Sequence, residues 1–271
     1  MSIVVNTNIG SLNAQRSLAE SSRELSTAME RLSSGKKINS AADDAAGFAI
    51  AERMTAQVRG LNMATKNAND GLAMLATIEN ATNDVTDMLQ RIRELAVQAA
   101  NDTNGTQDRT YLQTEVDSLV AEINRVSTDT VYNDSVVLDG NLSGSLQVGT
   151  ASGQTIDFAI DSIDATTLGV DALDFTDATT AATALTAIDS AIETVAGNRA
   201  GYGALSNRLE YTVSNLMNVA EFTTAARSRI EDADFAAESA RLAKAQVLQQ
   251  TGTAMLAQAN ASSQLAIQLI R

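Results

Sequence analysis

Apolar residues recur along this chain at a spacing that belongs to helices. From Leu61 one track reads Leu61, Ala68, Leu75, Thr82, Leu89 and Ala96, and a second reads Ala64, Gly71, Ile78, Val85, Ile92 and Ala99. All except Thr82 are apolar or small. A heptad pattern held from Leu61 to Ala99 predicts a helix roughly 58 Å long, with one continuous seam for a partner helix. The run NDTNGTQD, Asn101 to Asp108, gathers residues that end one helix and cap the next. Beyond it Leu112, Val116, Leu119, Ile123 and Val126 resume the repeat, which predicts an antiparallel pair joined by a short turn.

Nearer the other end, Leu185, Ile188, Ile192 and Val195 form one run, and Leu205, Leu209, Thr212, Leu216, Val219, Thr223, Ala226 and Ile230 form another. On these positions the runs fall out of phase around Gly201-Tyr202-Gly203. A loop and a stammer within one helix both satisfy that pattern. Between the helical halves the period shortens: Val136-Val137-Leu138, Leu146 with Val148, and Ile156, Phe158 and Ile160 are short or alternating runs. They are separated by Asp139-Gly140, Ser143-Gly144 and the stretch Gly149 to Gly153, which predicts a small β element at about 131–175.

The termini carry thinner patterns. Leu18, Ser22, Leu25, Met29 and Leu32 predict one narrow seam, and Leu242, Leu248, Met255, Leu256, Leu265, Leu269 and Ile270 another. Neither is wide enough to hold its helix alone in water. Each needs a partner, and the candidates are the other terminal helix and further copies of the chain. The fold class is therefore mainly α: a long antiparallel helical coiled coil or bundle with a small β-hairpin region.

Composition narrows the function. Trp, Pro, Cys and His are absent and aromatics are 3%, so the core must be built from small and aliphatic side chains. Without His the commonest general base is missing, and without Cys there is no thiolate chemistry, disulfide or structural zinc. No cofactor or metal is expected. The N-terminal MSIVVNTNIGSLNAQ has no basic n-region and no apolar h-region, and no run of 18 or more apolar residues occurs. The expectation is a soluble chain, or one exported without a cleaved leader, with no insertion into a membrane.

The net charge of −14 is unevenly placed. Residues 1–60 carry seven Lys/Arg against six Asp/Glu, residues 227–271 carry five against four, and no basic residue lies between Arg125 and Arg199. The acidic middle would repel nucleic acid and anionic membrane. The near-neutral ends are the better candidates for self-association.

Two stretches invite chemistry. RLSSGKKINSAADDAAG, Arg31 to Gly47, sets Lys36 and Lys37 beside Gly35, and Asp43 beside Asp44. A phosphate-cradling loop needs a preceding strand, several glycines and a Ser/Thr after the lysine; here Gly35 is alone, the preceding segment is helical and Ile38 follows Lys37. Adjacent carboxylates on a helix point about 100° apart and suit a helix N-terminus better than a shared cation. The segment reads as a link between helical units. The second stretch, QRIREL from Gln90 to Leu95, has Ile92 in the seam, so Arg91, Glu94 and Leu95 are expected at its sides or on the solvent face.

VNTNIGSLNAQRSL, RLSSGKKINSAADDAAGFAIAERM and NANDG near the start, with SRIEDADFAAESARLAKAQVLQQTGTAMLAQAN near the end, resemble the terminal signatures of bacterial flagellins. The resemblance spans nearly the whole chain. It implies a subunit that self-assembles into the extracellular flagellar filament used for swimming, secreted unfolded through the flagellar export apparatus with a flagellin chaperone on its C-terminal segment. It also implies filament cap and hook–filament junction proteins as neighbours. In that family the terminal helices pair as an inner coiled coil, D0, and the next segments form a helical rod, D1.

On that pattern residues 1–43 are the N-terminal D0 helix and linker, 44–180 the first part of D1, 181–230 the returning D1 helix and 231–271 the C-terminal D0 helix. No outer domain is inserted, which makes this a minimal form. Leu18, Leu25, Leu32, Leu248, Met255, Leu256 and Leu269 become assembly residues, and Gly35, Lys36, Lys37, Asp43 and Asp44 the D0–D1 linker, with Lys36 and Lys37 expected to face acidic groups of neighbouring copies. QRIRELAVQ resembles the helix that the vertebrate Toll-like receptor 5 recognises, which carries that role to Arg91 and Leu95, with Glu115 on the next helix. A hook–filament junction protein is the alternative, and the RLSSGKKINSAADDAAG match favours the filament subunit.

Overall fold

In the computed structural model, residues 7–268 are described, with side-chain surroundings through residue 262. Six helices and four short strands follow in the order α1 (Ile9–Ser34), α2 (Ala45–Ala99), α3 (Thr106–Asp129), β1 (Val131–Tyr132), β2 (Ser135–Val136), β3 (Ser143–Gln147), β4 (Thr155–Ala159), α4 (Ala165–Leu168), α5 (Ala178–Glu231) and α6 (Phe235–Gln268). The chain divides into two compact units. One takes Met1–Ala56 with Phe222–Arg271, the other Gln57–Glu221.

The Gln57–Glu221 unit is built on the α2 seam. All twelve positions from Leu61 to Ala99 are buried, Thr82 included. Thr82 is tolerated because its hydroxyl donates to the Ile78 carbonyl at 2.9 Å, so no polar group is left unpaired. A third track, Met74, Ala81, Met88 and Leu95, is buried or half-buried as well. It exists because α2 has two helical neighbours, α3 and α5, and a single seam serves only one.

Helix α5 runs unbroken from Ala178 to Glu231, so neither a loop nor a phase shift occurs at Gly201–Gly203. Ile188, Val195, Tyr202, Leu209 and Leu216 are buried at every seventh residue. The apparent loss of phase came from Asn198 and Arg199, polar residues on the inward track. Arg199 sits there because Glu79 of α2 accepts from its Nη2 at 2.6 Å. Arg93 likewise pairs with Asp189 at 2.6 Å, and these two bridges place α2 and α5 antiparallel.

The turn at Asn101–Gly105 reverses the chain into α3. Buried Arg109 donates from Nε to the Ala99 carbonyl at 2.9 Å and from Nη2 to Asn101 at 3.1 Å, capping carbonyls that the end of α2 leaves free. In the strand region, β1 and β2 form a tight hairpin whose two central residues, Asn133 and Asp134, take positive φ of 47° and 63°. β3 and β4 pair antiparallel with Leu146 opposite Ile156. Leu146 rests on Gly71, where an added Cβ would stand 2.5 Å from its Cδ1, so any larger residue at that height makes the Leu146 side chain shift.

The β element is shorter than the predicted 131–175. Strand pairing ends at Ala159, and the segment to Thr176 is loop and the single turn of α4. Val137 and Leu138, read as strand, lie beyond β2, the Val137 amide still donating to the Thr130 carbonyl at 3.0 Å, and fill the core with Ile163, Val170 and Phe175. Side chains hold this irregular stretch: Gln113 accepts from the Phe175 amide at 2.6 Å and donates to the Leu173 carbonyl at 3.0 Å. Tyr202, whose burial pushes its phenol pKa up, accepts from the Asp161 amide at 3.3 Å.

In the other unit α1 and α6 lie antiparallel, shown by Asn8 Nδ2 donating to the Ala259 carbonyl at 2.9 Å and by Arg31 beside Glu238 at 3.7 Å. Their seam is heptad-spaced but lightly filled. On α1 it is Ser11, Ala14, Leu18, Ser21, Leu25, Ala28 and Leu32, and on α6 Glu238, Leu242, Ala245, Gln249, Gly252, Leu256 and Ala259, each buried or half-buried. Ser22 and Met29, predicted to share the α1 seam, lie one position off it and are exposed.

Candidate functional site

Three groups of residues were expected to matter, and the structure treats them differently. The linker begins where Gly35 ends α1 in the left-handed conformation, φ +71°, with its amide donating to Arg31. The two strands of linker then pair: Lys37 donates to the Glu231 carbonyl at 2.6 Å and Ala233 donates to Gly35 at 3.0 Å. Lys36 forms an ion pair with Glu231, which Arg227 also approaches at 3.8 Å. Lys36 is thus engaged within the chain while its side chain stays half exposed, and Lys37 is exposed.

Asp44 starts α2, its Oδ1 accepting from Ala46 at 3.1 Å and Gly47 at 3.0 Å. Asp43 does something else. Its Oδ2 accepts from the Ser40 and Asn39 amides, both at 3.0 Å, which closes the preceding turn and holds the carboxyl below its usual pKa. Two adjacent carboxylates so have separate backbone partners, and among the described residues no acidic group of three or more could hold a metal ion.

On α2, Arg91 is exposed and donates to Glu94 from Nη1 and to Glu115 of α3 from Nε, both at 2.9 Å. These bonds, the Glu94 one first, raise its pKa. Leu95 is 1% exposed: it lies beside the seam as expected, but on a side that a neighbouring helix buries, which corrects its role as an exposed apolar contact. It belongs to the third α2 track and packs into the core, so the surface patch consists of Arg91, Glu94 and Glu115.

Of the terminal residues, Leu18, Leu25, Leu32 and Leu256 sit half-buried in the α1–α6 seam. Leu248 and Met255 are outside it, 42% and 64% exposed. Leu269 lies outside the described residues. Sequence spacing missed the buried charge in this seam: Glu238 is 6% exposed between Arg31 and Arg241, the latter at 3.4 Å. A carboxylate at an inward heptad position, four residues before Leu242, was the available signal.

A thin coiled coil with exposed apolar residues on both helices is a surface that calls for copies or partners, and the comparisons say which kind. Residues 5–143 match the family described as bacterial flagellin N-terminal helical region, and residues 185–270 match bacterial flagellin C-terminal helical region. The chain belongs to the bacterial flagellin family. It is similar to flagellin of Halalkalibacterium halodurans, 42% identical over 99% of this chain and 100% of that protein. Flagellin of Bacillus subtilis is 38% identical over 98% of this chain and 99% of its own. The crystal structure of Bacillus cereus flagellin covers 56% of this chain and 88% of its own, with 31% identity and a TM-score of 0.51. The chain is accordingly a structural subunit of the flagellar filament, a homopolymer, and not an enzyme.

Proposed function

We propose that the α1–α6 pair is the part of the subunit that enters the filament core and drives polymerisation, while the Gln57–Glu221 unit builds the surrounding rod. The observation that carries this reading is the exposure of Ile9 (63%), Leu12 (56%), Val247 (58%) and Met255 (64%) on a pair whose own seam buries little. Burying such residues against further copies supplies the free energy of assembly. Removing 1–40 or 232–271 is expected to leave a folded chain that no longer elongates filament seeds. Normal elongation by either truncated chain, followed by electron microscopy, would overturn the reading.

The same assignment has the subunit secreted through the flagellar export apparatus, with a chaperone holding the C-terminal helix before export. In the assembled flagellum its neighbours are the cap and the hook–filament junction proteins. A cysteine-free chain with two weakly self-sufficient termini suits passage in an unfolded state.

Arg91 and Glu115 carry the reading as a ligand of Toll-like receptor 5, because a planar guanidinium held at the surface is a good hot-spot donor. Leu95 contributes to that surface only by supporting it from below. Arg91→Ala is expected to lower receptor signalling by monomer about tenfold or more, with far-UV circular dichroism unchanged. Unchanged signalling in a reporter assay would remove Arg91 from the role.

A further inference from the structure

One Asn–Gly pair occurs in the sequence, Asn104–Gly105, and it lies in the turn between α2 and α3. Such a pair modifies itself without an enzyme. The glycine amide nitrogen, once it has given up its proton to base, attacks the asparagine side-chain carbon; an N–C bond forms, the bond to Nδ2 breaks, and ammonia leaves with the proton it needs from water. The cyclic imide then takes up one water and opens at either carbonyl, to aspartate or to isoaspartate. No electrons change hands, and water is the only other reactant. Glycine is the follower that allows this attack best, because no Cβ stands in its way. Gly105 is exposed and Asn104 half-buried, so water and base reach the pair.

The fold ties down both reacting groups. The Gly105 amide, which is the nucleophile, donates to Asp108 Oδ2 at 3.1 Å. Nδ2 of Asn104, which is the leaving group, donates to the Gln98 carbonyl in the last turn of α2. A carboxylate bound to an N–H stabilises the protonated amide and opposes the amide anion on which the attack depends. The same arrangement recurs at Asn39–Ser40, where the Ser40 amide donates to Asp43 Oδ2 at 3.0 Å and Asn39 Nδ2 donates to the Lys36 carbonyl at 3.2 Å. In both places an aspartate three residues beyond the following amide holds it, and an earlier carbonyl holds the carboxamide. Ser40 also hinders the attack with its own Cβ. Gly105 has none, so at Asn104 the restraint falls to Asp108.

We propose that Asn104 is a latent site of spontaneous deamidation and that Asp108 is the group that keeps it latent. Conversion exchanges the Nδ2 donor for a carboxylate oxygen, which cannot donate to Gln98 and leaves that carbonyl with the Asn101 amide at 3.2 Å. Isoaspartate in addition lengthens the backbone within the turn. Both changes loosen the reversal between α2 and α3. The new negative charge lies just before the first turn of α3, where the helix dipole favours it, so the product is not opposed electrostatically by that helix.

The test follows the full chain in mildly alkaline buffer, with peptide mass spectrometry reading amide-to-acid conversion at Asn104. Asp108→Ala should raise the rate in the folded chain about tenfold, the factor that one charge-assisted hydrogen bond supplies. In urea the variant and the unchanged chain should convert alike. Adding Gly105→Ala to Asp108→Ala should bring the rate back down; at Gly105 a Cβ would lie 3.5 Å from Asp108 Oδ2, an ordinary contact, so the turn admits it. Thr106→Gly loosens the first turn of α3 through helix propensity and keeps Asp108 in place, and should stay near the unchanged rate. An Asp108→Ala chain that converts no faster when folded would overturn the proposal. So would a difference that persists in urea, which assigns the effect to local sequence, or an equal acceleration by Thr106→Gly, which assigns it to fraying. A fast rate retained with Gly105→Ala would remove the imide route itself.

Discussion

Along α2 the inward positions Ile78, Val85, Leu89 and Ile92 are completely buried, whereas along α1 the leucines at equivalent heptad positions, Leu18, Leu25 and Leu32, stay half exposed between Ser11, Ser21 and Ala28. Both helices obey one spacing. What differs is the volume that the spacing delivers: branched side chains facing two neighbouring helices in one unit, and serine, alanine and glycine facing a single neighbour in the other. A filled seam stabilises its own unit, while a thin one holds two helices in register and leaves their outer faces for association. The polar residues divide in the same way. Arg199, Arg109 and Thr82 reach partners inside the Gln57–Glu221 unit, and Arg16, Arg23, Glu20 and Glu24 form no ion pair among the described residues.

The sharpest way to break this contrast is to truncate one leucine of each seam. Leu89→Ala removes a fully buried side chain and should cost about 2–5 kcal/mol, read as a shift of the main urea unfolding transition. Leu25→Ala, half exposed, should cost about 1 kcal/mol while lowering filament elongation more than Leu89→Ala does at a temperature where both chains are folded. Equal costs would mean that the two seams are alike and that exposure says nothing about assembly.

Smaller effects test how the units are finished. Gly71→Ala forces Leu146 off α2, with an expected loss of about 1–3 kcal/mol, and protection of the β3–β4 amides from hydrogen exchange should fall first. The weakest effect is in the linker. The Asp43 carboxyl is held below its usual pKa by the Ser40 and Asn39 amides, so its folded value lies under its unfolded one. Its contribution is present above the ordinary Asp range near about pH 4 and is lost as pH falls through the lower folded value. The amide resonances of Asn39 and Ser40 should move together through that acid step, and Asp43→Asn should abolish the shared transition.

The long helices were legible because period is a property of the chain: the tracks from Leu61 to Ala99 and from Leu112 to Val126 name their own buried faces. Three features were not. Leu95 looked lateral because a seam read from one helix cannot show that α2 has two neighbours, and the second neighbour buries the side that Leu95 occupies. Asn198 and Arg199 looked like a break because a polar residue on an inward track is indistinguishable from a phase error until Glu79 is seen opposite. Val137 and Leu138 looked like strand because a short apolar run fits either a ladder or a core-filling loop.

By itself, then, the order of residues determined the heptad faces of the long helices, the absence of histidine and cysteine chemistry, and, through its terminal motifs, the family. Only the tertiary structure decided which side of each terminal helix is spent on the α1–α6 seam and which stays open. It paired the half-exposed Lys36 with Glu231 and left Leu248 and Met255 outside the seam. The physical reason is that a 3.6-residue helix carries several heptad lines at once, and which of them is buried depends on the neighbour that arrives, a fact that no single helix encodes.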